Sequence, residues 1–150
     1  MGAMSVNEDF VGRVFTGTPP YEVSRVKIAE FASAVQNLHP SHLEPEAAQA
    51  LGYPDVIAPA TFAVVIAQRA EAEYISDPEA SIDFSRVVHA DERFTHHRPI
   101  CAGDVLSTAV HVDSIVERRG ITMVSTRAEI ADADGSPVAT VRSSLAIRGE

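Results

Sequence analysis

The sequence has little of what several protein classes depend on. It contains no tryptophan and one cysteine, Cys101. It has 12 lysines and arginines but 21 aspartates and glutamates, which gives a net charge of −9 at pH 7. A single cysteine excludes an internal disulfide and suits a reducing compartment, so we expect a cytoplasmic protein. Phosphate backbones are bound by clustered basic residues, and the sequence has no such cluster, so no nucleic-acid partner is expected.

Long apolar runs and targeting signals are missing as well. No run approaches the ~20 apolar residues that a membrane-spanning helix requires, and no signal peptide is recognisable, so we expect no membrane insertion. The length of 150 residues suits one domain that buries about 68–70% of the surface of its unfolded chain. Residues 1–4 have the pattern of a cloning scar, which leaves residues 5–150 as a single domain.

The N-terminal half of the chain is dominated by helical periodicity after a short predicted strand at Val11–Phe15. From Val26, apolar residues recur on one helix face, which predicts a helix that ends near Asn37. A second, short helix is predicted at Glu46–Leu51, with Pro45 at its first position.

The longest predicted helix is Ala60–Tyr74. Its first half is apolar on all sides, which indicates burial, whereas its polar second half, Gln68–Glu73, is expected to emerge at the surface.

The second half of the chain alternates with period two, the pattern of strands. Leu106, Thr108, Val110, Val112 and Val116 are assigned to one face of a long strand. Short turns between strands predict antiparallel pairing, and the apolar helix is the natural cover for the sheet. This predicts an α+β hot-dog fold, an antiparallel sheet wrapped around a long central helix. The predicted strands are Val87–Phe94, Leu106–Val116, Ile121–Ile130 and Pro137–Ile147.

Two segments resemble the MaoC-like (R)-specific hydratase/dehydratase family. Asn37–Pro45 (NLHPSHLEP), followed by Ile57–Thr61 (IAPAT), is similar to the D-x-N-P-x-H-x-D signature and to the apolar segment that leads into the hot-dog helix. Phe94–Leu106 (FTHHRPICAGDVL) looks like the F-x-x-P-V-x-x-G-D-x-L segment of the same family. The resemblance extends over about residues 10–148.

The resemblance implies an enzyme that adds water to, or removes it from, an acyl thioester carried by coenzyme A or acyl-carrier protein, without another cofactor or a metal. It places the catalytic pair at Asn37 and His42. Asn37 stands where the family has aspartate, and an amide cannot act as a base. Backbone N–H groups at the helix start would stabilise the thioester oxyanion. The implied substrate-binding residues are His39, Ile57, Ala58, Pro59, Ala60, Thr61 and Phe62.

A narrower resemblance is to the subunit that lacks the aspartate in heterodimeric mycolic-acid-type dehydratases, and to uncharacterised actinobacterial relatives. It implies a hydratase or dehydratase subunit in fatty-acid metabolism that is weak or inactive alone. The partner is expected to be a second copy or a hot-dog subunit with an intact Asp/His pair, and Asn37→Asp is expected to raise the hydration rate.

Other interpretations stay open. Asn37 and His42 would also serve simply to cap and fill a loop between two helices. The chain would also suit a non-catalytic acyl-thioester-binding protein. A thioesterase is less favoured, because residues 60–68 contain no acidic residue, and Glu71 lies too far along the helix. His96 and His97 lack the neighbouring ligands that a metal site requires.

Overall fold

The computed structural model describes residues 5–149. The longest helix, Ala63–Ile75, follows directly on a 3-10 turn at Ala60–Phe62, and the loop that carries His42 contains another at Pro40–His42. None of the helices within the described range is both long and apolar enough to cross a membrane. The helices are α1 (Arg25–Ala34), α2 (Pro45–Ala50) and α3 (Ala63–Ile75), and the strands are β1 (Val14–Phe15), β2 (Tyr21–Glu22), β3 (Val87–His96), β4 (Val105–Arg118), β5 (Ile121–Ala131) and β6 (Pro137–Arg148).

The strands form one antiparallel sheet in the order β1-β4-β5-β6-β3, and β2 also pairs with β4. Helix α3 contacts β1, β4, β5 and β6 along the face of the sheet. Phe62 and Ala63 are fully buried at the start of this helix, and Ile66 is only 2% exposed. This confirms the predicted hot-dog arrangement, because the apolar half of the long helix covers the inner face of the sheet.

Two boundaries predicted in the N-terminal half of the chain were wrong, namely the start of the first strand and the end of α1. The regular strand begins only at Val14, because Gly12 adopts a left-handed φ of 91°, although the Gly12 N–H and the Arg13 carbonyl still hydrogen-bond with Val112 of β4. Helix α1 stops at Ala34, since Gln36 adopts a left-handed φ of 58°.

The end of α1 is a Schellman motif. The Asn37 N–H donates to the Ala32 carbonyl at 2.9 Å, and the Gln36 N–H donates to the Ser33 carbonyl at 3.1 Å. This pattern ends a helix by satisfying its last free carbonyls. Asn37 is therefore the residue at which the chain leaves the helix, not part of the helix itself.

The face assignment of β4 also needs correction. The register between β4 and β5 shifts between Val112 and Ser114, which is a β-bulge. An extra residue in a strand reverses the alternation beyond it. Ile115, only 9% exposed, therefore points into the core, and Val116, assigned to that face from the sequence, is 46% exposed.

The polar half of α3 does not emerge at the surface as a whole. Gln68 and Arg69 are exposed, but Glu71 is only 2% exposed. Thr126 on β5 donates a hydrogen bond of 2.6 Å from Oγ1 to Glu71 Oε1. The sheet thus supplies a partner for one carboxylate oxygen, whereas Oε2 is buried without a hydrogen bond and lies 3.7 Å from His89 Nε2. Helical periodicity alone does not reveal these contacts.

Candidate active-site groove

The loop that carries His42 is a short 3-10 turn. His39 caps the turn by accepting a hydrogen bond of 3.2 Å at Nδ1 from the Ser41 N–H, and the same nitrogen lies 2.8 Å from Ser41 Oγ. Pro40 occupies the first position of the turn, where its missing N–H costs nothing. His39 and Pro40 are exposed, whereas Ser41 and His42 are buried, with 3% and 8% of their surface exposed.

The tautomer of His42 follows from its single hydrogen bond. His42 Nδ1 lies 2.6 Å from the Ile57 carbonyl oxygen. A carbonyl oxygen only accepts, so Nδ1 must carry the proton and donate. Nε2 then keeps its lone pair whenever the ring is neutral, and it has no hydrogen-bond partner among the described residues. This nitrogen is the one available to accept or return a proton.

The backbone at Ile57 and Ala58, which comes after α2, is held by hydrogen bonds on both sides. The Ile57 N–H donates to the Ser41 carbonyl at 3.0 Å, and the Ala58 N–H donates to the Ile100 carbonyl at 2.7 Å. The segment is therefore tied to the His42 turn on one side and to the loop before β4 on the other. Backbone held in this way cannot drift relative to the imidazole.

The start of the helix offers two free backbone donors. Pro59, the N-cap residue, has no N–H, and the first hydrogen bond of the turn runs from the Phe62 N–H to the Pro59 carbonyl at 2.9 Å. The N–H groups of Ala60 and Thr61 precede this bond and have no acceptor within the helix. Both residues are exposed, and helix N-termini favour negative charge.

A groove of about 490 Å³ runs beside the His42 ring and the helix start. Four residues named from the sequence line it, namely His42, Ile57, Ala58 and Ala60, whereas His39, Pro59, Thr61 and Phe62 do not. The volume lies within the usual range for small-molecule sites. The other lining residues are His96, His97, Arg98, Pro99 and Ile100.

The structure does not bring Asn37 into this groove. Its side chain is exposed, does not line the groove and makes no hydrogen bond with any described residue. The Schellman hydrogen bond from its N–H to Ala32 fixes the backbone at this point. Within one chain, His42 therefore lies at the groove without the residue that the family motif would pair with it.

His96 and its neighbours were not among the site residues inferred from the sequence. His96 Nε2 lies 2.7 Å from the Ala60 carbonyl oxygen, which links the end of β3 to the helix start. Arg98 forms two hydrogen bonds to Asp104, at 2.8 and 3.1 Å, and these raise the pKa of Arg98 above its usual value. The signal available was the resemblance of residues 94–106 to the family segment, because this stretch contains His96 and Arg98.

The described residues offer little support for a metal site or for a cysteine nucleophile. Residues 5–149 contain no group of three or more histidines, cysteines, aspartates or glutamates arranged to hold a metal ion. Cys101 is buried, and burial raises the pKa of its thiol. A raised pKa lowers the thiolate fraction, so Cys101 is poorly suited to act as a nucleophile.

Comparison with known proteins identifies the family. Residues 9–141 match the model of the FAS1-like dehydratase domain region. The chain belongs to the FAS1-like dehydratase family. The UPF0336 protein of Saccharopolyspora erythraea is similar as well, with 51% identity over 97% of this chain and 94% of its own length.

Two solved structures share both fold and sequence with this FAS1-like dehydratase domain. One is a C-terminally truncated HadBC (3R-hydroxyacyl-ACP dehydratase) complex of Mycobacterium tuberculosis, with a TM-score of 0.83, 32% identity and coverage of 92% of this chain and 97% of that one. The other is a MaoC-like dehydratase, with a TM-score of 0.85, 32% identity and coverage of 93% and 42%. The family match includes every residue that lines the groove.

Proposed function

We propose that this chain is a subunit of a (3R)-hydroxyacyl-thioester dehydratase, or of an enoyl-thioester hydratase, which catalyses the opposite direction of the same reaction. The observation that carries the proposal is the buried His42 ring, whose Nδ1 is held by the Ile57 carbonyl while the ring lines a groove at the helix start. A histidine in this setting can act as a general acid and base near neutral pH. The name of the similar HadBC complex, a 3R-hydroxyacyl-ACP dehydratase, supports the reaction class.

The groove suits the thioester end of such a substrate. The free N–H group of Ala60, a residue that lines the groove, would stabilise negative charge on the thioester oxygen as it develops. His42 Nε2 would take a proton from water during hydration, or return one to the hydroxyl group during dehydration. We expect the acyl group to arrive on coenzyme A or acyl-carrier protein, in fatty-acid metabolism and in the cytoplasm. This chemistry requires no further cofactor.

We expect the isolated chain to be weak or inactive, because the amide of Asn37 cannot take the role of a catalytic carboxylate. A partner would then supply an intact Asp/His pair. Strand β3 lies at an end of the sheet, where its outer edge is free to pair with another chain. Val88 on this strand is 64% exposed, and Phe84 just before it is 73% exposed, which suits an interface.

A second function remains in competition. A non-catalytic subunit that only binds the acyl thioester is favoured by the position of Asn37 outside the groove. Pro59 adds to this, because it removes one potential oxyanion donor at the helix start.

The test measures binding and turnover of crotonyl-coenzyme A by this chain, alone and mixed with a hot-dog subunit that has an intact Asp/His pair. The proposal expects binding by the isolated chain, slow hydration, and a higher rate in the mixture than the sum of the two rates. Absence of binding in all samples would contradict it. Binding without any hydration by the isolated chain, together with no gain in the mixture, would favour the non-catalytic subunit.

A further inference from the structure

Two histidines hold the two ends of one four-residue segment. His42 Nδ1 lies 2.6 Å from the carbonyl oxygen of Ile57, and His96 Nε2 lies 2.7 Å from the carbonyl oxygen of Ala60. The segment between these carbonyls leads directly into the 3-10 turn that opens α3. Both rings also line the same groove.

Each ring keeps one nitrogen available. Because carbonyl oxygens only accept, His42 must donate from Nδ1 and His96 must donate from Nε2. His42 Nε2 and His96 Nδ1 have no hydrogen-bond partner among the residues that the structure describes. The ring of Phe94 stacks on that of His96, with centroids 6.4 Å apart and planes inclined by 7°. The orientation of the His96 ring is therefore fixed by a stacking contact as well as by a hydrogen bond.

We propose that His96 is the second proton-transfer residue of this chain and sustains the slow hydration expected of the isolated chain, in place of the carboxylate that is missing at position 37. The inference rests on the proposed function, since it concerns the same groove and the same reaction. A pair of imidazoles can divide acid and base roles, because one ring accepts a proton in its neutral form and the other donates one as the imidazolium. An imidazolium at His96 would still donate from Nε2 to Ala60, so protonation does not break its anchoring bond.

Hydration by this pair balances in atoms and charge. Neutral His42 takes a proton at Nε2 from water, and the water oxygen bonds to the β-carbon of the enoyl thioester. The carbon–carbon π bond breaks, and its electron pair forms a C–H bond at the α-carbon with the proton from Nδ1 of the His96 imidazolium. The excess proton on His42 then returns to His96 through solvent. Dehydration is the reverse sequence.

A purely structural role for His96 is the competing explanation, and His96→Gln separates the two. The glutamine amide nitrogen can still donate to the Ala60 carbonyl, but the amide does not titrate. His111→Gln is the matched control, because it makes the same change on β4, outside the groove.

The experiment measures kcat, KM and the pH profile of crotonyl-coenzyme A hydration for the native chain, His96→Gln and His111→Gln, with binding of the thioester measured in parallel. We expect His96→Gln to lower kcat by about 10²-fold or more and to remove one limb of a bell-shaped pH profile. Thioester binding should persist, and His111→Gln should stay within about threefold of the native kcat.

If the native chain hydrates the thioester, three results would overturn the inference. They are a His96→Gln rate close to native, an equal loss in His111→Gln, and loss of thioester binding together with rate in His96→Gln. Absence of hydration by the native chain would also overturn it, while intact crotonyl-coenzyme A binding would leave the binding role of the groove standing. Absence of both hydration and binding would remove the proposed function itself.

Discussion

His42 and Ile57 are joined by a hydrogen bond of 2.6 Å from the imidazole Nδ1 to the backbone carbonyl. This bond sets the tautomer of the ring and ties the His42 turn to the segment that starts the central helix. One contact thus fixes which nitrogen can accept a proton and holds the ring against the backbone three residues before Ala60.

The first prediction concerns stability. His42→Ala removes the donor to the Ile57 carbonyl and leaves space around it, so we expect a loss of about 1–3 kcal/mol in the free energy of unfolding. His42→Asn, whose amide nitrogen can take the place of Nδ1, should lose less. Urea unfolding at pH 7 measures both. Equal losses in the two variants would show that the hydrogen bond contributes little.

A second prediction concerns position 37. A well-placed general base is worth typically 10²–10⁴-fold in rate, but the Asn37 side chain lies outside the groove. We therefore expect Asn37→Asp to raise crotonyl-coenzyme A hydration by less than about tenfold, well below the contribution of a positioned base. Steady-state kinetics of the two proteins test this. A gain of 10²-fold or more would return the catalytic role to position 37.

A third prediction follows from Glu92, a β3 residue whose Oε2 accepts a hydrogen bond of 2.8 Å from Ser143. Burial raises the pKa of Glu92 above its ordinary value of 4.5, and the nearby charge of Glu71 adds to this. The folded chain therefore binds the Glu92 proton more tightly than the unfolded chain. Its contribution to stability is complete below about pH 4.5 and declines as the pH rises through the raised pKa.

Glu92→Gln removes this titration. The variant should gain stability relative to the native chain between pH 4 and pH 7, because the native carboxylate becomes costly to bury over that interval. Chemical unfolding at several pH values measures the difference. Glu117→Gln, an exposed change on β4, controls for the altered net charge. A difference that stays constant with pH, or that matches Glu117→Gln, would refute the prediction.

A fourth prediction concerns assembly through the free edge of β3. Val88→Lys places a charge beside this edge, which should shift a dimer towards monomer at micromolar concentration. Val26→Lys is the matched control, because Val26 lies on α1 and is 68% exposed, close to the 64% of Val88. Sedimentation velocity distinguishes the two variants. A native chain that is already monomeric, or equal behaviour of the two variants, would argue against this interface.

Much of the fold could be predicted from the sequence because periodicity reports burial directly. The apolar start of α3 and the alternation in β3–β6 both depend on local pattern, and both were predicted. The β4 bulge before Ser114 and the burial of Glu71 could not be predicted, because each depends on a partner strand. Local pattern records which face is apolar, but it does not record register shifts or hydrogen bonds made across the sheet.

The site was predicted in part for a similar reason. The resemblance named His42 and the segment Ile57–Ala60, which are close in sequence to one another. His96 comes from the far end of β3, 36 residues after Ala60, and only the folded chain brings its ring to that carbonyl. The bond is a long-range contact, which no spacing rule within a motif describes.

The account depends most on binding of the acyl thioester beside the His42 ring, and ¹⁵N NMR of the imidazole nitrogens tests this directly. In the free chain, His42 should show a protonated Nδ1 and a bare Nε2 in the neutral form. Titration with crotonyl-coenzyme A should shift the signals of His42 and His96 and leave His111, which lies on β4 outside the groove, unchanged. The account would be contradicted by saturable binding that leaves the signals of His42 and His96 unshifted, whether or not the His111 signals move.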